Sequence, residues 1–209
     1  RKAIRQPYGA ILTCGPTGSG KTTTLYAALQ ELNTPDRTIM TIEDPVEYVT
    51  AGTDQIEVNV RAGLTFARGL RTILRSDPDT ILVGEIRDEE TAQIAIRAAM
   101  TGHLVLSTLH TQTAAAAIQR LAEMGMEPGL VAATVTCLIA QRLARRVCPD
   151  CRESREPSPH ELEVLGLTRQ SARELAHGAG CTACGGTGFR GRIRLFEVLP
   201  LTDDIRALA

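Results

Sequence analysis

The glycine-rich run Gly15–Thr24, GPTGSGKTTT, constrains this chain more than any other feature. It follows a short apolar run, Ala10–Cys14, and opens a helix-like segment, Thr22–Leu32. Strand, glycine-rich turn and helix form the context in which Gly-x-x-x-x-Gly-Lys-[Ser/Thr] reads as a phosphate-binding loop. Glycines let the backbone wrap a phosphate with its N–H groups pointing inward. The start of the helix adds a positive partial charge. Gly15, Pro16, Thr17, Gly18, Ser19, Gly20, Lys21, Thr22 and Thr23 are therefore the candidate nucleotide-binding residues. Lys21 is placed to reach the β- and γ-phosphates, and Thr22 to offer its hydroxyl to Mg²⁺. The competing reading is an ordinary glycine-rich turn with an exposed lysine. Lysine usage speaks against it. Of the 23 basic residues only Lys2 and Lys21 are lysines. A compact ammonium on a flexible stem is not mimicked by a planar guanidinium.

The chain has 209 residues, enough for one full core and a small appendage. Aromatic residues make up 3% and tryptophan is absent, so Ala, Leu, Ile and Val must build that core. A net charge of −1 gives no reason to expect a nucleic-acid partner. No apolar run approaches membrane-spanning length, and no leader segment is recognisable. The chain opens at Arg1 without a methionine, and is read as a fragment of a longer protein.

Strand-like runs at Ala10–Cys14, Thr38–Ile42, Gln55–Val60, Thr80–Gly84 and Leu104–Leu109 alternate with helix-like runs. The latter are Thr22–Leu32, Thr65–Arg75, Glu89–Met100, Ala114–Glu123 and Pro128–Ala140, with Thr65 as an N-cap. Near-continuous apolar strands alternating with helices predict an α/β fold with a mainly parallel sheet. Ligands of such sheets bind at the carboxyl ends of the strands, where Gly15, Glu43, Glu85 and His110 fall. After Arg142 the texture changes to cysteine pairs, a polar helix-prone insert and a strand-like Arg192–Leu199. The expected organisation is a core over 1–142, a second module with its returning strand over 143–200, and the start of a helical segment at 201–209.

Three further motifs carry chemistry. Glu43, in TIEDPVE, ends the second strand and could orient or deprotonate a water beside the phosphate loop. A solvated acidic turn broken by Pro45 is the alternative. Glu85 follows the apolar Ile81–Val83 and has the setting of a Walker B acid. Gly84 occupies the usual aspartate position, so Glu85 is the available carboxylate, unless it is an ordinary surface glutamate at the end of a buried strand. His103 and His110 bracket the strand TGHLVLSTLHT. His110 is placed to contact a γ-phosphate and His103 suits a structural or interface role, although a satisfied structural histidine explains either one alone.

Cys148, Cys151, Cys181 and Cys184 form two Cys-x-x-Cys pairs. Four thiolates in this pairing fit a closed tetrahedral Zn²⁺ site, with disulfides as the alternative in an oxidising compartment. His177 is close enough in sequence to be a substitute ligand, but four cysteines need none. Cys14 and Cys137, in apolar settings, read as core residues. The insert between the pairs is too polar to hold a core, so the metal is expected to order it.

GPTGSGKTTTLY, TIEDPVEY, LRSDPDTILVGEIRD and TGHLVLSTLHT resemble the Walker A, Asp box, Walker B and His box of the GspE/PilB/PilT-type secretion ATPases, over about residues 9–200. The resemblance implies a RecA-like P-loop core that hydrolyses ATP with Mg²⁺ between the subunits of a hexameric ring. It implies that Lys21 and Thr22 bind phosphate and Mg²⁺, that Glu43 is the catalytic carboxylate, Glu85 the Walker B acid and His110 the γ-phosphate contact. It further implies a cytoplasmic location at the inner face of the cytoplasmic membrane, with an inner-membrane platform protein as partner. Members commonly have Asn-Asp where this chain has Gln112-Thr113, and carry a preceding domain whose arginines complete the nucleotide site. Paired cysteine knuckles are common in assembly motors and generally lacking in retraction motors, which favours pilus or pseudopilus assembly. The alternatives are a retraction motor, a RecA-like nucleic-acid motor using the cluster Arg142, Arg145 and Arg146, or a nucleotide-gated binding module without turnover. The scarcity of aromatic residues argues against nucleic acid.

Overall fold

The computed structural model describes residues 2–171 and 174–207. In chain order the regular elements are β1 (Gly9–Cys14), α1 (Lys21–Leu32), β2 (Ile39–Glu43), β3 (Asp54–Glu57), α2 (Phe66–Ile73), β4 (Thr80–Val83), α3 (Glu89–Met100) and β5 (Leu104–Leu109). They continue as α4 (Ala114–Glu123), α5 (Pro128–Thr134), β6 (Val135–Val147), β7 (Arg152–Arg155), α6 (Pro159–Leu165), β8 (Leu175–Gly178), β9 (Phe189–Pro200) and α7 (Asp203–Arg206). Seven strands form one sheet in the order β3-β2-β4-β5-β1-β6-β9. The pairings β2–β3, β2–β4, β4–β5, β5–β1 and β1–β6 are all parallel. The chain divides into two compact units, one running to Arg142 and resuming at Phe196, the other Leu143–Leu195.

In the first unit every residue of β1, β4 and β5 is buried, as expected of strands covered on both faces. Alternate residues feed two cores. Ile11, Leu82, Leu104 and Leu106 pack with Leu25, Leu29 and Leu32 of α1. Leu12, Ile42, Val83, Val105 and Leu138 face α2 to α5 through Leu70, Ile73, Ile96, Leu121 and Val131. Helix starts are set by local polar side chains. Thr65 Oγ1 accepts from the Arg68 N–H, Asp88 accepts from Thr91 and Thr113 from Ala116. Among the described residues no helix is long and apolar enough to cross a membrane.

Two expected elements change. The helix expected over Pro128–Ala140 ends at Thr134, and Val135 onward is strand β6. An apolar run without polar punctuation is ambiguous between buried helix and central strand. Here the open edge of β1 decides, with Ala10, Leu12 and Cys14 paired to Val135, Leu138 and Ala140. The strand expected at Gln55–Val60 is Asp54–Glu57, followed by a 3-10 turn at Val60–Ala62 that Asn59 caps by accepting from the Ala62 N–H.

The second unit holds more regular structure than its composition suggests. β7 and β8 pair antiparallel, and α6 begins with a reciprocal capping box between Ser158 and Glu161. The Arg155 guanidinium grips Glu161 through both carboxylate oxygens.

Candidate active site and metal centre

The phosphate-loop run connects the end of β1 to the start of α1, with Pro16, Thr17 and Gly18 exposed at its tip. Lys21 is nearly buried, and its Nζ donates to the carbonyls of Gly15 at 2.8 Å and Pro16 at 3.1 Å. Burial pushes its pKa down, and the Glu85 carboxylate partly offsets that, so the two side chains sense each other across the site. Thr22 is half-buried and Thr23 exposed on the first turn of α1. The Ser19 hydroxyl is buried and has no partner among the described residues, an orphaned donor in the loop that a bound phosphate would satisfy.

Gln141, on β6, was not singled out by any sequence motif. It is fully buried and clamps the loop from 122 residues away, donating from Nε2 to the Ser19 carbonyl at 2.8 Å. Its Oε1 accepts from the Thr24 hydroxyl at 2.7 Å. Gly20 adopts φ 88°, and a Cβ there would lie 2.8 Å from Gln141 Nε2. Glycine at this position is thus required both by the left-handed backbone and by the clamp. Gln141→Ala leaves buried groups on Ser19 and Thr24 without partners, and should lower stability by about 1–3 kcal/mol, measurable by urea unfolding.

The two candidate acids stand at the ends of neighbouring strands. Gly84 explains their proximity. Its N–H donates to the Ile42 carbonyl at 2.8 Å, and a Cβ at Gly84 would lie 3.3 Å from both Ile42 O and Glu43 Cα. A carboxylate in the usual aspartate position would press on β2, and the acid stands one residue later. Glu85 bonds to the Arg87 guanidinium through Oε1 and to His110 Nε2 at 3.2 Å through Oε2. Arg87 also faces Asp44 at 3.9 Å. Burial pushes the Glu85 pKa up, but the hydrogen bonds and charges of Arg87 and His110 outweigh it and hold the carboxyl below the usual range. His110, half-exposed, therefore touches an acid of the same cluster.

Glu43 is 3% exposed. Its carboxylate accepts from Thr41 Oγ1 and Tyr26 Oη at 2.6 Å each and from Gln55 Nε2 at 3.3 Å. It is no solvated turn residue. His103 lies at the opposite end of β5, its Nδ1 3.0 Å from the Ala98 carbonyl at the end of α3, in a structural setting. Thr113, where the resemblance leads one to expect an aspartate, caps α4, and Gln112 is held by the Arg142 guanidinium. Arg145 lies over the Phe189 ring, 3.9 Å from its centre.

In the second unit the four cysteine sulfurs converge, all within 4.8 Å of one another. The separations Cys148–Cys181 and Cys151–Cys184 are 3.9 Å, and Cys181–Cys184 is 3.7 Å. A tetrahedral site with metal–sulfur bonds of about 2.3 Å has sulfur–sulfur edges of about 3.8 Å. A disulfide needs about 2.05 Å, and all six cysteines are free. The N–H groups of Cys181 and Gly188 donate to Cys184 Sγ at 3.2 and 3.3 Å. The first of these is the chief cause that holds the Cys184 thiol down at about 6, suited to a thiolate ligand. His177 is not in the cluster. Cys14 and Cys137 are buried in the sheet, where burial raises their pKa values as expected of core thiols.

The residues brought together at the carboxyl edge of the sheet are Lys21, Thr22, Glu43, Glu85 and His110. Tyr26, Thr41, Gln55, Arg87 and Gln141 complete the arrangement; Tyr26, Thr41 and Arg87 lie within the quoted motifs without a role read from them, and Gln55 and Gln141 lie outside every motif.

Comparison with known proteins agrees with this geometry. The family model for type II/IV secretion system proteins matches residues 1–209. The type II secretion system ATPase E of Vibrio cholerae serotype O1 is 50% identical over 208 residues, 100% of this chain and 41% of that protein. The type IV pilus assembly ATPase PilB of Thermus thermophilus is 53% identical over 209 residues, 99% of this chain and 23% of that protein. The crystal structure of the pilus retraction motor PilT with bound ADP has a TM-score of 0.72 at 31% identity, covering 99% of this chain and 51% of the other. The ATPase DotB of Legionella pneumophila has a TM-score of 0.69 at 29% identity, with 99% and 49% covered. The chain spans only part of each of these relatives. Its mostly parallel P-loop α/β core and tetracysteine cluster are those expected, and by motif order, fold and family match the chain belongs to the type II/IV secretion system protein family.

Proposed function

We propose that this chain is the ATP-hydrolysing region of a motor that powers assembly of type IV pili or of the type II secretion pseudopilus. The observation that carries this reading is the convergence of the phosphate loop, Glu43, Glu85 and His110 on one edge of the sheet. The loop amides and Lys21 hold the triphosphate, and the Thr22 hydroxyl is the ligand offered to Mg²⁺. Glu43 serves the attacking water. Glu85 is the Walker B acid, held ionised by Arg87, and His110 contacts the γ-phosphate and reports its presence to Glu85. Such a site lies between subunits of a homo-hexameric ring, at the inner face of the cytoplasmic membrane, where domain rotation is passed to an inner-membrane platform protein. A closed interface over γ-phosphate that reopens after hydrolysis is a population shift driven by differential contacts.

The tetracysteine unit, with Zn²⁺ as its ligand, supports the assembly branch over retraction. Residues 1–142 are assigned to the ATPase core, 143–200 to the metal module with its returning strand, whose last residues from Phe196 fall in the first compact unit, and 201–209, of which 208 and 209 lie outside the described residues, to the start of a further helical segment. No nucleic-acid partner is assigned.

Glu85→Gln removes the negative charge that Arg87 and His110 face. In the full-length protein it should lower ATP turnover by about 10²-fold or more while nucleotide is still bound. Turnover near wild type would end the ATPase reading. Restoration of surface pili or of secretion in a strain lacking the gene would separate assembly from retraction.

A further inference from the structure

Glu43 is held by more donors than a catalytic carboxylate needs for solubility alone. A carboxylate has about four acceptor sites. Among the described residues Thr41 takes one site on Oε1 and Tyr26 one on Oε2, and the second site of Oε1 faces Gln55 Nε2, whose two hydrogens are shared among Glu43, the Tyr26 hydroxyl and the Tyr48 carbonyl. The acceptor site left over is on Oε2, beside the Tyr26 hydroxyl.

Tyr26 is itself fixed. It lies on α1 little more than one turn beyond Lys21, so its position follows the helix that ends the phosphate loop. Its ring meets Tyr48 edge-on, with centroids 5.3 Å apart. Its hydroxyl accepts from Gln55 Nε2 at 3.2 Å, and Gln55 also donates to the Tyr48 carbonyl at 3.0 Å and accepts from the Thr50 N–H at 2.7 Å. Burial and the neighbouring Glu43 carboxylate push the Tyr26 pKa well up, which keeps the hydroxyl protonated as a donor. The bond to Glu43 is at the short, charge-assisted end of the O–H···O range.

We propose that Tyr26 is a positioning residue: its hydroxyl directs the one open acceptor site of Glu43, and ties that direction to the phosphate-loop helix. The proposal rests on the reading of Glu43 as the carboxylate that serves the attacking water. Its consequence is a split of labour between the two acids. Glu43, already engaged by two hydroxyls and an amide, orients water through a single remaining site. A carboxylate so engaged is fixed in direction and presents that site to water.

The test uses Tyr26→Phe in the full-length protein, which deletes the hydroxyl and keeps the ring against Tyr48. Steady-state ATP hydrolysis should show kcat lowered about tenfold or more, with KM for ATP within about twofold. In a Glu43→Gln background, adding Tyr26→Phe should change kcat by less than twofold, because the group it acts through is gone. A wild-type kcat for Tyr26→Phe with an impaired Glu43→Gln overturns the positioning role and leaves the ATPase reading standing. An equal loss from Tyr26→Phe in both backgrounds also overturns it, since the effect then bypasses Glu43. Wild-type turnover in Glu43→Gln overturns the reading on which the proposal rests. Should Tyr26→Phe fail to fold, Gln55→Leu, which removes the donor shared by Tyr26 and Glu43, is put through the same cycle, with the same split expected between kcat and KM.

Discussion

Lys21→Ala in the full-length protein should lower the rate of ATP hydrolysis by about 10²- to 10³-fold, the scale of losing one preorganised charge at a phosphoryl transition state. The structure makes Lys21 hard to replace. Its stem is buried, and its ammonium is received by the Gly15 and Pro16 carbonyls. Lys21→Arg should therefore fail to restore activity. A guanidinium is larger, planar and unable to turn three donors between two carbonyls and a phosphate. The measurement is phosphate release under saturating ATP and Mg²⁺, together with nucleotide affinity by a fluorescent analogue. Alanine and arginine variants with turnover within a few-fold of wild type would remove the loop from the mechanism.

Stripping the metal from the second unit should produce the other large effect. Structural zinc contributes about 10–16 kcal/mol in small modules of this kind, more than the stability of a typical domain. The unit has little else to hold it. Of its large apolar residues, Val164, Leu165, Leu167, Ile193 and Leu195 are exposed, Leu143, Val147, Leu175 and Phe189 are half-buried, and Leu162 on α6 is buried. Metal analysis of the purified protein should find one zinc per chain. A strong chelator should open Leu143–Leu195 to protease at the arginines of β7 and of the following insert, while the parallel sheet of the first unit stays protected. Cys184→Ser should act like the chelator, because that sulfur receives the N–H groups of Cys181 and Gly188. A chain that binds no zinc, and whose protease pattern and melting transition do not move on chelation, would sink the metal assignment.

The parts legible in the sequence are those whose chemistry is local. The phosphate loop needs its glycines, lysine and threonine within ten residues, so it reads directly. Each Cys-x-x-Cys is one half of a site, and both halves together imply the whole. Thr65 caps α2 with a neighbour three residues on. Glu43, Glu85 and His110 could be placed at one sheet edge because parallel strands all end on the same side.

What the sequence left open was set by contacts across long separations. Residues 135–140 are apolar enough for a buried helix or a buried strand, and only the vacant edge of β1 selects the strand. Gln141 reaches the loop from the far end of the core. Tyr26, Thr41 and Gln55 lie on three different elements, and each alone is an unremarkable polar residue. Arg87 looks like a surface arginine until β4 carries it against Glu85 and Asp44. By itself, the sequence determined which groups can bind phosphate, metal and water, because residue type and short spacing suffice for that. Only the tertiary structure decided how the acids are held and how the loop is clamped, since a hydrogen bond acts over about 3 Å and only folding brings residues a hundred positions apart within that range.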